Sequence, residues 1–445
     1  MADSKSIGIG LMGLGVVGRG IAQTLLRKNR AIAQEIGCHL TLRKILVRDL
    51  SKPRASTIEP HLLTLDPQQI LADPEIQIVI EVIGGEQPAA AFIKQALLSG
   101  KYVVTANKEV IAKQGPELLE IAQQNGVGLL YEASVGGGIP LLLPLKQGLP
   151  ANEISAIYAI INGTTNYILT KMSAEGLSFP TALKQAQELG YAEPDAANDI
   201  EGIDAAYKLA ILATAAFHTI VRPEDVYRQG IARLAERDFR YAKELDYEIK
   251  LLAIAKKVDG SVEVRVHPAF VPTDFLLAKV SGVYNAIQIE GDLVGKVLFY
   301  GEGAGSLPTS SAIMADVIAA AKSVIQQREL GAKRLSRSGK SSLLVPHPPF
   351  LALAIKPISE LQTRYYLRMS VADSPGVLAQ IAKALGDRSI SISSVIQKEV
   401  DADAQTAEIV IMTHPAREQF MRQALEEMEK LPVIKEICNL IRVEG

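Results

Sequence analysis

The chain has 445 residues, of which 48% are hydrophobic and 22% are charged. That length and composition suit two or three globular domains with filled cores and exclude a disordered chain. The 47 basic and 49 acidic residues nearly cancel, so charge alone favours neither nucleic acid nor a membrane as a partner. The first residues lack the basic and apolar segments of a signal peptide. We therefore expect a soluble, cytoplasmic protein that binds small molecules or other subunits.

The first third of the chain alternates short β-rich runs with helical stretches, from Ser6 to Tyr131. This alternation predicts a parallel sheet. Runs that are apolar on both faces, such as IVIEVI at residues 78–83, are typical of strands between two helix layers. We predict an α/β fold whose residues 1–150 form a Rossmann-like, doubly wound domain, to which the apolar helix at 308–325 returns.

The remaining chain is predicted to form two more domains. Beyond Ile154 longer helices, including Ile203–Phe217 and Asp246–Lys257, are followed by strands, which predicts an α+β substrate and dimerisation domain over residues 151–325. The remaining predicted segments are a linker rich in Arg, Lys, Ser and Pro at residues 326–360, and a ferredoxin-like domain at residues 361–445. The basic linker would also suit nucleic acid, but a solvated linker is favoured.

A glycine-rich loop follows the first predicted strand. Gly13 permits a tight turn, Gly15 lets backbone N–H groups approach a pyrophosphate, and Gly18 allows close helix packing. Because strand, glycines and helix occur in the required order, the loop predicts a dinucleotide site. Its predicted contact residues are Gly13, Leu14, Gly15, Val16, Val17 and Gly18.

Arg48 stands at the end of the second predicted strand, in the region that contacts the adenosine ribose. Arginine pairs with a 2′-phosphate, so NADP(H) is favoured and NAD(H) remains an alternative. Asp49, the next residue, would instead bind the free 2′-hydroxyl of NAD. An ordinary surface arginine is the third interpretation.

Two lysines lie where chemistry is expected. Lys108 follows the strand YVVT at the carboxyl edge of the sheet, where open α/β folds bind ligands. A lysine there could bind a ribose or carry a proton, and a solvated charge at the start of a helix is the alternative. Asp204 and Lys208 are the only charged residues of the apolar helix Ile203–Phe217. Their i, i+4 spacing places both on one face of a helix that should be buried, so the pair is predicted to line a site. An exposed salt bridge is the alternative.

An acidic loop precedes this helix, in the sequence GYAEPDAANDIEG. Glu193 and Asp199 are the two acids that we expect to have a role. Carboxylates close to a buried lysine predict a pocket that binds an amino group, although solvated loop charges are the alternative.

Seven motifs occur in order between Ile7 and Val317: GLGVVG, TANK, YEASVGGGIP, NGTTNYIL, GYAEPD, DIEGIDAAYKLAIL and GAGSLPTSSAIMADV. Together they resemble the homoserine dehydrogenase family. The resemblance implies NAD(P)-dependent interconversion of L-homoserine and L-aspartate 4-semialdehyde, a step in threonine, methionine and isoleucine biosynthesis. It gives Lys208 the role of proton donor, Asp204 that of orienting it, and Lys108 a place near the nicotinamide and the substrate oxygen.

The same resemblance implies further binding residues. Glu193 would hold the substrate amino group, Asp199 would shape the same pocket, and Gly303 would lie in a loop that returns towards the cofactor. A monovalent cation site, for sodium or potassium, is implied at Glu132 and the carbonyls of Val135, Gly137 and Ile139, since such oxygen ligands suit a hard ion. A flexible glycine loop is the alternative there.

The segment YYLRMSVADSPGVLAQIAKAL resembles an ACT domain, whose first turn often carries Asp, Pro and Gly, as Asp373, Pro375 and Gly376 do here. ACT domains pair and bind amino acids. The resemblance therefore implies a homodimer or homotetramer and L-threonine as an allosteric inhibitor. A dimerising module without a ligand is the alternative.

Other functions fit the sequence less well. Other ACT-bearing dehydrogenases, of the 3-phosphoglycerate or prephenate type, lack NGTTNYIL and the Asp204/Lys208 helix. A semialdehyde dehydrogenase that oxidises an aldehyde needs a cysteine nucleophile, and neither Cys38 nor Cys438 suits that role. A sensor without catalysis needs no proton donor, so the presence of both Lys108 and Lys208 argues against that function. Failure of the protein to turn over its substrate would favour it.

Overall fold

The computed structural model describes residues 6–52, 58–334, 349–401 and 405–445. The chain divides into two compact units, each built from separate stretches. The first unit comprises Met1–Ala151, Ala210–Pro223 and Gly301–Ala352, and the second comprises Asn152–Leu209, Glu224–Tyr300 and Leu353–Gly445. Within the described ranges, no helix is both long enough and apolar enough to cross a membrane.

A parallel sheet forms the centre of the first unit, with the strand order β3-β2-β1-β4-β5-β6 over the described residues. The order reverses between β1 and β4, which is the switch point where doubly wound folds bind their ligands. The predicted Rossmann-like fold is confirmed. Its elements are β1 Ser6–Met12, α1 Val16–Ile36, β2 His39–Leu46, β3 Leu63–Thr64, α2 Gln68–Leu71, β4 Ile76–Glu81, α3 Ala89–Leu98, β5 Tyr102–Thr105, α4 Lys108–Gln124 and β6 Leu129–Leu130.

The second unit contains a longer sheet, whose main path has the order β12-β11-β7-β9-β10-β18-β14-β16-β15. The chain elements from β7 to β12 are β7 Ile154–Ile160, α5 Gly163–Glu175, α6 Phe179–Glu188, α7 Ala197–Ile200, α8 Ile203–Phe217, β8 Tyr227–Arg228, α9 Glu236–Glu244, β9 Tyr247–Val258, β10 Ser261–Pro272, β11 Tyr284–Gly291 and β12 Gly295–Glu302. The second half of α8, from Ala210, belongs to the first unit. The remaining elements of the chain are α10 Ser306–Arg334, β13 Ala354–Ile355, β14 Gln362–Ala372, α11 Val377–Gly386, β15 Ile392–Asp401, β16 Thr406–Thr413, β17 Ala416–Arg417, α12 Glu418–Met428 and β18 Ile434–Val443.

Strand β9 corrects the prediction of a helix at Asp246–Lys257. The segment pairs along its whole length with β10 and over four residues with β7. Seven consecutive residues from Ile249 to Ala255 are buried, because this strand is covered on both faces. A short run without alternation is equally compatible with a buried helix and a buried strand, so periodicity could not distinguish them. Asp246, with a φ of 62°, lies in the turn between α9 and this strand.

Helix α10 belongs to the first unit and packs against α1. A Cβ atom at Gly20 would lie only 2.6 Å from Ser310 Oγ, so glycine permits this close approach. The helix continues to Arg334, which corrects the prediction that the linker begins at residue 326. Residues 326–334 are mostly strong helix formers, and this propensity extends the helix. Most of the basic run KRLSRSGKSS lies outside the described residues.

The ferredoxin-like order predicted for the ACT-like segment is confirmed, since its elements are β14, α11, β15, β16, α12 and β18. Helices α11 and α12 cover one face of its sheet, where Tyr365, Leu367, Met369 and Val371 are buried with residues of both helices. The last strand of this domain also pairs with a strand outside it. Strand β18 pairs antiparallel with β14 and parallel with β10, so the ACT sheet continues the sheet of the second unit.

Buried charges surround the point where β18 meets β10. Arg265 donates to Glu444 at 2.6 Å and to Glu263 at 3.0 Å, and Lys256 lies 3.2 Å from Glu444. Burial alone would raise the pKa of Glu444, but Arg265 and Lys256 lower it to about 2. The ionised carboxylate therefore stabilises the junction of the two sheets.

Glu444→Gln tests this contribution. The folded-state pKa is about 2 against an ordinary value of 4.5. The stabilisation, about 3 kcal/mol from the size of that shift, is therefore complete above pH 4.5 and is lost as the pH falls towards 2. We expect the variant to unfold at lower urea concentration near neutral pH, and the difference from wild type to shrink at about pH 3.5.

Because the chain has no tryptophan, unfolding should be followed by far-ultraviolet circular dichroism. Glu429→Gln, at an exposed position of the same domain, is the matched control and should leave the midpoint unchanged. A Glu444→Gln effect of equal size at both pH values would contradict the assignment of an ionised, paired Glu444.

Candidate functional site

The glycine loop of the first unit has the geometry of a phosphate cradle. Gly13 has a φ of 104°, and a Cβ atom there would lie 2.6 Å from the carbonyl oxygen of Val82. A Cβ at Gly18 would lie 2.2 Å from the carbonyl oxygen of Gly13, whereas nothing lies within 4 Å of one at Gly15. Gly15 caps α1 without a side-chain hydrogen bond. The open space and the N–H groups of the first helical turn fit a bound pyrophosphate.

Two further predicted loops of the first unit lie together. A Cβ atom at Gly137 would approach the carbonyl group of Gly303 to 2.4 Å, and Gly138 N donates to Glu302 O at 3.2 Å. The hydroxyl of Ser306 donates to the carbonyl of Val16 at 3.1 Å. The structure thus brings the segment of Gly303, the VGGGIP loop and the start of α1 into one region.

Arg48 and Asp49, which follow β2, differ in whether their charged groups already form hydrogen bonds. The carboxylate of Asp49 accepts hydrogen bonds from both the N–H and the hydroxyl of Ser51, at 2.8 and 2.7 Å. Arg48 is exposed, and its guanidinium makes no hydrogen bond or ion pair with the described part of the chain. Of the two residues, Arg48 has the charged group that is available to a ligand.

Glu81, which the sequence analysis did not select, organises the neighbouring loop. It is fully buried at the carboxyl end of β4 and accepts hydrogen bonds from Thr105 Oγ1 at 2.6 Å and Ile83 N at 2.7 Å. Burial raises the pKa of this carboxyl group, while these donors oppose the rise. Thr105 in turn accepts from the N–H of Asn107, the residue that caps α4 immediately before Lys108. The chain of bonds fixes the start of the helix that carries Lys108.

In the loop predicted to bind a cation, the carboxylate of Glu132 and the backbone carbonyls differ in the hydrogen bonds that they accept. The carboxylate of Glu132 accepts the N–H groups of Leu141, Leu142 and Leu143, the latter two at 2.9 and 2.7 Å. The main-chain carbonyls of Val135, Gly137 and Ile139 accept no hydrogen bond from the described residues. Nor do the described residues contain a cluster of three or more His, Cys, Asp or Glu side chains suited to a metal. A cation in this loop would therefore be bound mainly by the carbonyl oxygens, because the carboxylate of Glu132 already accepts hydrogen bonds from backbone N–H groups.

In the second unit, Lys208 and Asp204 lie on one buried face of α8, as their spacing predicts. Lys208 Nζ donates to Asp204 Oδ2 at 2.7 Å and to the carbonyl of Ile161 at 2.8 Å. The exposed fractions of the two side chains are 13% and 4%. The ammonium thus has two acceptors and a third hydrogen that is available for a substrate oxygen.

Asn162 connects this pair to the acidic loop. Its amide nitrogen donates to Asp204 Oδ2 at 2.9 Å and to Asp199 Oδ1 at 2.7 Å. Its amide oxygen caps α5 by accepting the N–H of Thr165 at 2.9 Å. Both hydrogens and the oxygen of the amide are therefore used, and Asn162 joins the carboxylate of Asp199 to that of Asp204, the partner of Lys208.

Glu193 lies in the same loop but is exposed, and no described residue donates to its carboxylate. The loop backbone is fixed by other contacts. Gln187 donates to the carbonyl of Glu193 at 3.2 Å, and Thr164 donates to the carbonyl of Tyr191 at 2.7 Å. The structure thus brings Asp199, Asp204 and Lys208 together, and it leaves Glu193 open to a ligand.

Sequence reasoning missed Glu81 and Asn162 as residues with their own roles. A signal existed for each. Glu81 is the one charged residue in IVIEVI, a strand predicted to be covered on both faces, where an acid requires partners. Asn162 precedes GTTNYIL, the position at which a helix-capping asparagine is favoured.

Comparison with known proteins identifies the family. Residues 13–132 match the homoserine dehydrogenase NAD-binding domain, residues 140–318 match homoserine dehydrogenase, and residues 365–433 match the ACT domain. A homoserine dehydrogenase of Synechocystis is 42% identical over 442 residues, which cover 98% of this chain and 99% of that protein.

Solved structures of homoserine dehydrogenases also match this chain. The structure of a homoserine dehydrogenase from Thiobacillus denitrificans superposes with a TM-score of 0.89 at 41% identity and covers 99% of both chains. A hyperthermophilic archaeal homoserine dehydrogenase, solved in complex with NADPH, matches with a TM-score of 0.61 at 30% identity, covering 71% of this chain and 97% of that one. The chain therefore belongs to the homoserine dehydrogenase family of oxidoreductases, with a nicotinamide-dinucleotide-binding domain at one end and an ACT domain at the other.

Proposed function

We propose that the chain interconverts L-homoserine and L-aspartate 4-semialdehyde, with NADP(H) as its preferred cofactor and Lys208 as the group that transfers the proton. The observation that carries this proposal is the buried ammonium of Lys208, held by Asp204 and the carbonyl of Ile161. A buried lysine with one hydrogen unassigned is suited to protonate an oxygen, and an oxidoreductase of this family needs that step.

A nicotinamide dinucleotide held at the glycine loop of Gly13, Gly15 and Gly18 would supply a hydride to the aldehyde carbon or accept one from the alcohol carbon. Reduction places negative charge on the aldehyde oxygen, and the ammonium of Lys208 stabilises that charge and gives it a proton. In the oxidation direction the amine of Lys208 accepts the hydroxyl proton. Asp204 keeps the lysine side chain in one orientation, and Asn162 keeps Asp204 in place.

The acidic loop suits the amino group of the substrate. Glu193 is exposed and without a described donor, so its carboxylate is available to bind an ammonium. Asp199 is fixed by Asn162 at 2.7 Å and shapes the same pocket. Lys108, at the start of α4, is assigned to the nicotinamide and the substrate oxygen, and Glu81 positions the turn before it through Thr105 and Asn107.

The residues that we propose to bind the cofactor are those of the glycine loop and the segments beside it. Gly13, Leu14, Gly15, Val16, Val17 and Gly18 would hold the pyrophosphate, with Gly303 in a neighbouring loop, and Arg48 would pair with a 2′-phosphate. The archaeal relative was solved with NADPH, which supports the choice. A sodium or potassium ion would bind the carbonyls of Val135, Gly137 and Ile139, with Glu132 stabilising the loop through its hydrogen bonds to backbone N–H groups.

The remaining parts of the proposal concern regulation. We assign the ACT domain to feedback inhibition by L-threonine, in a cytoplasmic homodimer or homotetramer of the threonine, methionine and isoleucine pathway. Support comes from the ACT match at residues 365–433 and from the glycine of its first turn, Gly376, which has a φ of 86°. The turn is thus shaped by backbone geometry that favours glycine.

Lys208→Ala tests the proton-transfer role. Removing the acid–base group should lower kcat for L-homoserine oxidation by a factor of about 10² to 10⁴, while NADPH binding, measured by fluorescence titration, stays unchanged. Lys208→Arg keeps the charge but not a group that deprotonates, so it should also fail in oxidation.

Lys184→Ala is the matched control, because Lys184 is an exposed lysine of the second unit, with 76% of its side chain accessible. It should retain full activity. Wild-type protein that turns over L-homoserine with neither cofactor would refute the proposed reaction and favour a sensor. Full activity in Lys208→Ala would refute the role of this lysine.

Arg48→Ala tests cofactor preference. Loss of one charge-assisted contact to the 2′-phosphate should lower kcat/KM for NADP about ten- to hundredfold. The kcat/KM for NAD, which lacks this phosphate, should stay within about twofold. Arg27→Ala, at an exposed position of α1, is the control. Equal losses with both cofactors would contradict 2′-phosphate recognition by Arg48.

A further inference from the structure

The charged groups of the candidate site in the second unit are held by two adjacent residues, Ile161 and Asn162. Both directly follow β7, which pairs with β9 on one side and with β11 on the other. The carbonyl of Ile161 accepts from Lys208 Nζ at 2.8 Å. The amide nitrogen of Asn162 donates to Asp199 Oδ1 at 2.7 Å and to Asp204 Oδ2 at 2.9 Å. One point of the sheet therefore sets the positions of the lysine and of both carboxylates.

Asp199 and Asp204 lie on different helices, so their spacing needs a fixed connection. Asp199 belongs to the short helix α7 and Asp204 to α8, and the turn between them contains Gly202, which has a φ of 74°. Within the described ranges, Asn162 is the one residue that donates to both carboxylates. Two oxygens that accept from one nitrogen lie no more than about 6 Å apart. Asn162 thus acts as a clamp on the two acids.

Asp199 keeps an oxygen that a ligand can use. The residue is half-buried, and its Oδ2 accepts no hydrogen bond from the residues that the structure describes. Asp204 is 3% exposed and is used by the site itself, since its Oδ2 accepts from both Asn162 and Lys208. An ammonium at Asp199 and an oxygen at Lys208 would therefore be bound a fixed distance apart.

We propose that Asn162 is a positioning residue that selects the length of the substrate, an amino acid with a terminal hydroxyl or aldehyde group. The inference rests on the proposed function, in which the ammonium lies in the pocket of Glu193 and Asp199 and the reacting oxygen lies on Lys208. Each added methylene lengthens an extended chain by roughly 1.3 Å. A displacement of about 1 Å at the reacting atoms can lower the rate about a hundredfold. A clamp at the correct spacing therefore favours L-homoserine over shorter and longer homologues.

The same side chain also caps α5, which is a different role. Asn162 Oδ1 accepts the N–H of Thr165 at 2.9 Å and the hydroxyl of Thr165 at 3.0 Å. Serine and aspartate cap helices as well as asparagine does, because a cap requires only an oxygen acceptor. Neither carries the NH2 group that donates to two carboxylates at once. Asn162→Ser consequently separates the cap from the clamp.

Asn162→Ser tests the selection of length. Oxidation of L-homoserine is compared with that of 5-hydroxy-L-norvaline, which is one methylene longer. For L-homoserine kcat/KM should fall about ten- to hundredfold, because the hydrogen bonds to two charged groups are lost. For 5-hydroxy-L-norvaline kcat/KM should fall less, so that the preference for L-homoserine narrows at least about tenfold. A purely structural role would lower kcat/KM for both substrates by the same factor.

Two further variants provide the controls. Asn198→Ser changes an exposed asparagine of α7, beside Asp199, whose side chain makes no hydrogen bond with the described residues. It should keep wild-type rates with both substrates. Asn162→Ala removes the cap and the clamp together. It should lose as much of the preference as Asn162→Ser does but melt at a lower temperature, because alanine lacks the capping oxygen. Circular dichroism spectra establish that each variant is folded.

Two kinetic outcomes would overturn the inference. Wild-type values of kcat and KM in Asn162→Ser would show that the side chain serves only as a cap of α5. Equal losses of kcat/KM for L-homoserine and 5-hydroxy-L-norvaline would show that Asn162 supports the site without selecting the length of the substrate.

A binding measurement distinguishes this inference from the proposed reaction. Calorimetry with NADPH present, where L-homoserine cannot be oxidised, measures binding without turnover. Wild type should bind L-homoserine at least about tenfold more tightly than 5-hydroxy-L-norvaline, and Asn162→Ser should bind the two within about threefold of each other. Selective binding by a protein that does not turn over L-homoserine would refute the reaction and leave the clamp intact. Equal binding of both molecules by wild type, or binding of neither, would overturn the clamp itself.

Discussion

The pairing of β18 with both β10 and β14 is the constraint on which the second unit depends. Because β18 pairs with β10 on one side and with β14 on the other, the ACT domain cannot rotate relative to β10 without breaking backbone hydrogen bonds. The pairing also buries Arg265 and Arg442, whose charges are tolerated only because Glu444 and Glu418 accept them. An unpaired charge in that position would cost several kcal/mol. The sheet and the ion pairs therefore stabilise each other.

Carboxylates that perform no chemistry shape the candidate sites. Glu81 fixes the turn before α4, Glu132 holds the backbone N–H groups of Leu141 to Leu143, and Asp204 orients Lys208. Each is buried and is compensated by hydrogen bonds, which is the condition under which an acid can lie inside a protein. Such acids make loops rigid, and a rigid loop holds a ligand in one position.

Local patterns predicted the parts of the fold that depend on local chemistry. The glycine loop and the Asp204/Lys208 face follow from spacing, because a turn and a helix are fixed over a few residues. Strand β9 was predicted as a helix, since its burial on both faces depends on β7 and β10. The partners of Asn162 lie 37 and 42 residues away. Contacts of that kind arise only when the sheet is assembled.

The polar face of the ACT sheet has a physical cost that requires a reason. An apolar interface of similar shape would be at least as stable as the network of Asp238, Arg368 and Glu408, because desolvation of charges offsets their attraction. Arg368 donates to Asp238 at 2.7 Å and to Glu408 at 3.0 Å, so one guanidinium joins the two carboxylates. That arrangement joins α9, which carries Asp238, to β14 and β16, which carry Arg368 and Glu408. Hydrogen bonds that depend on direction specify one position of the helix on the sheet, which apolar packing alone would leave less defined.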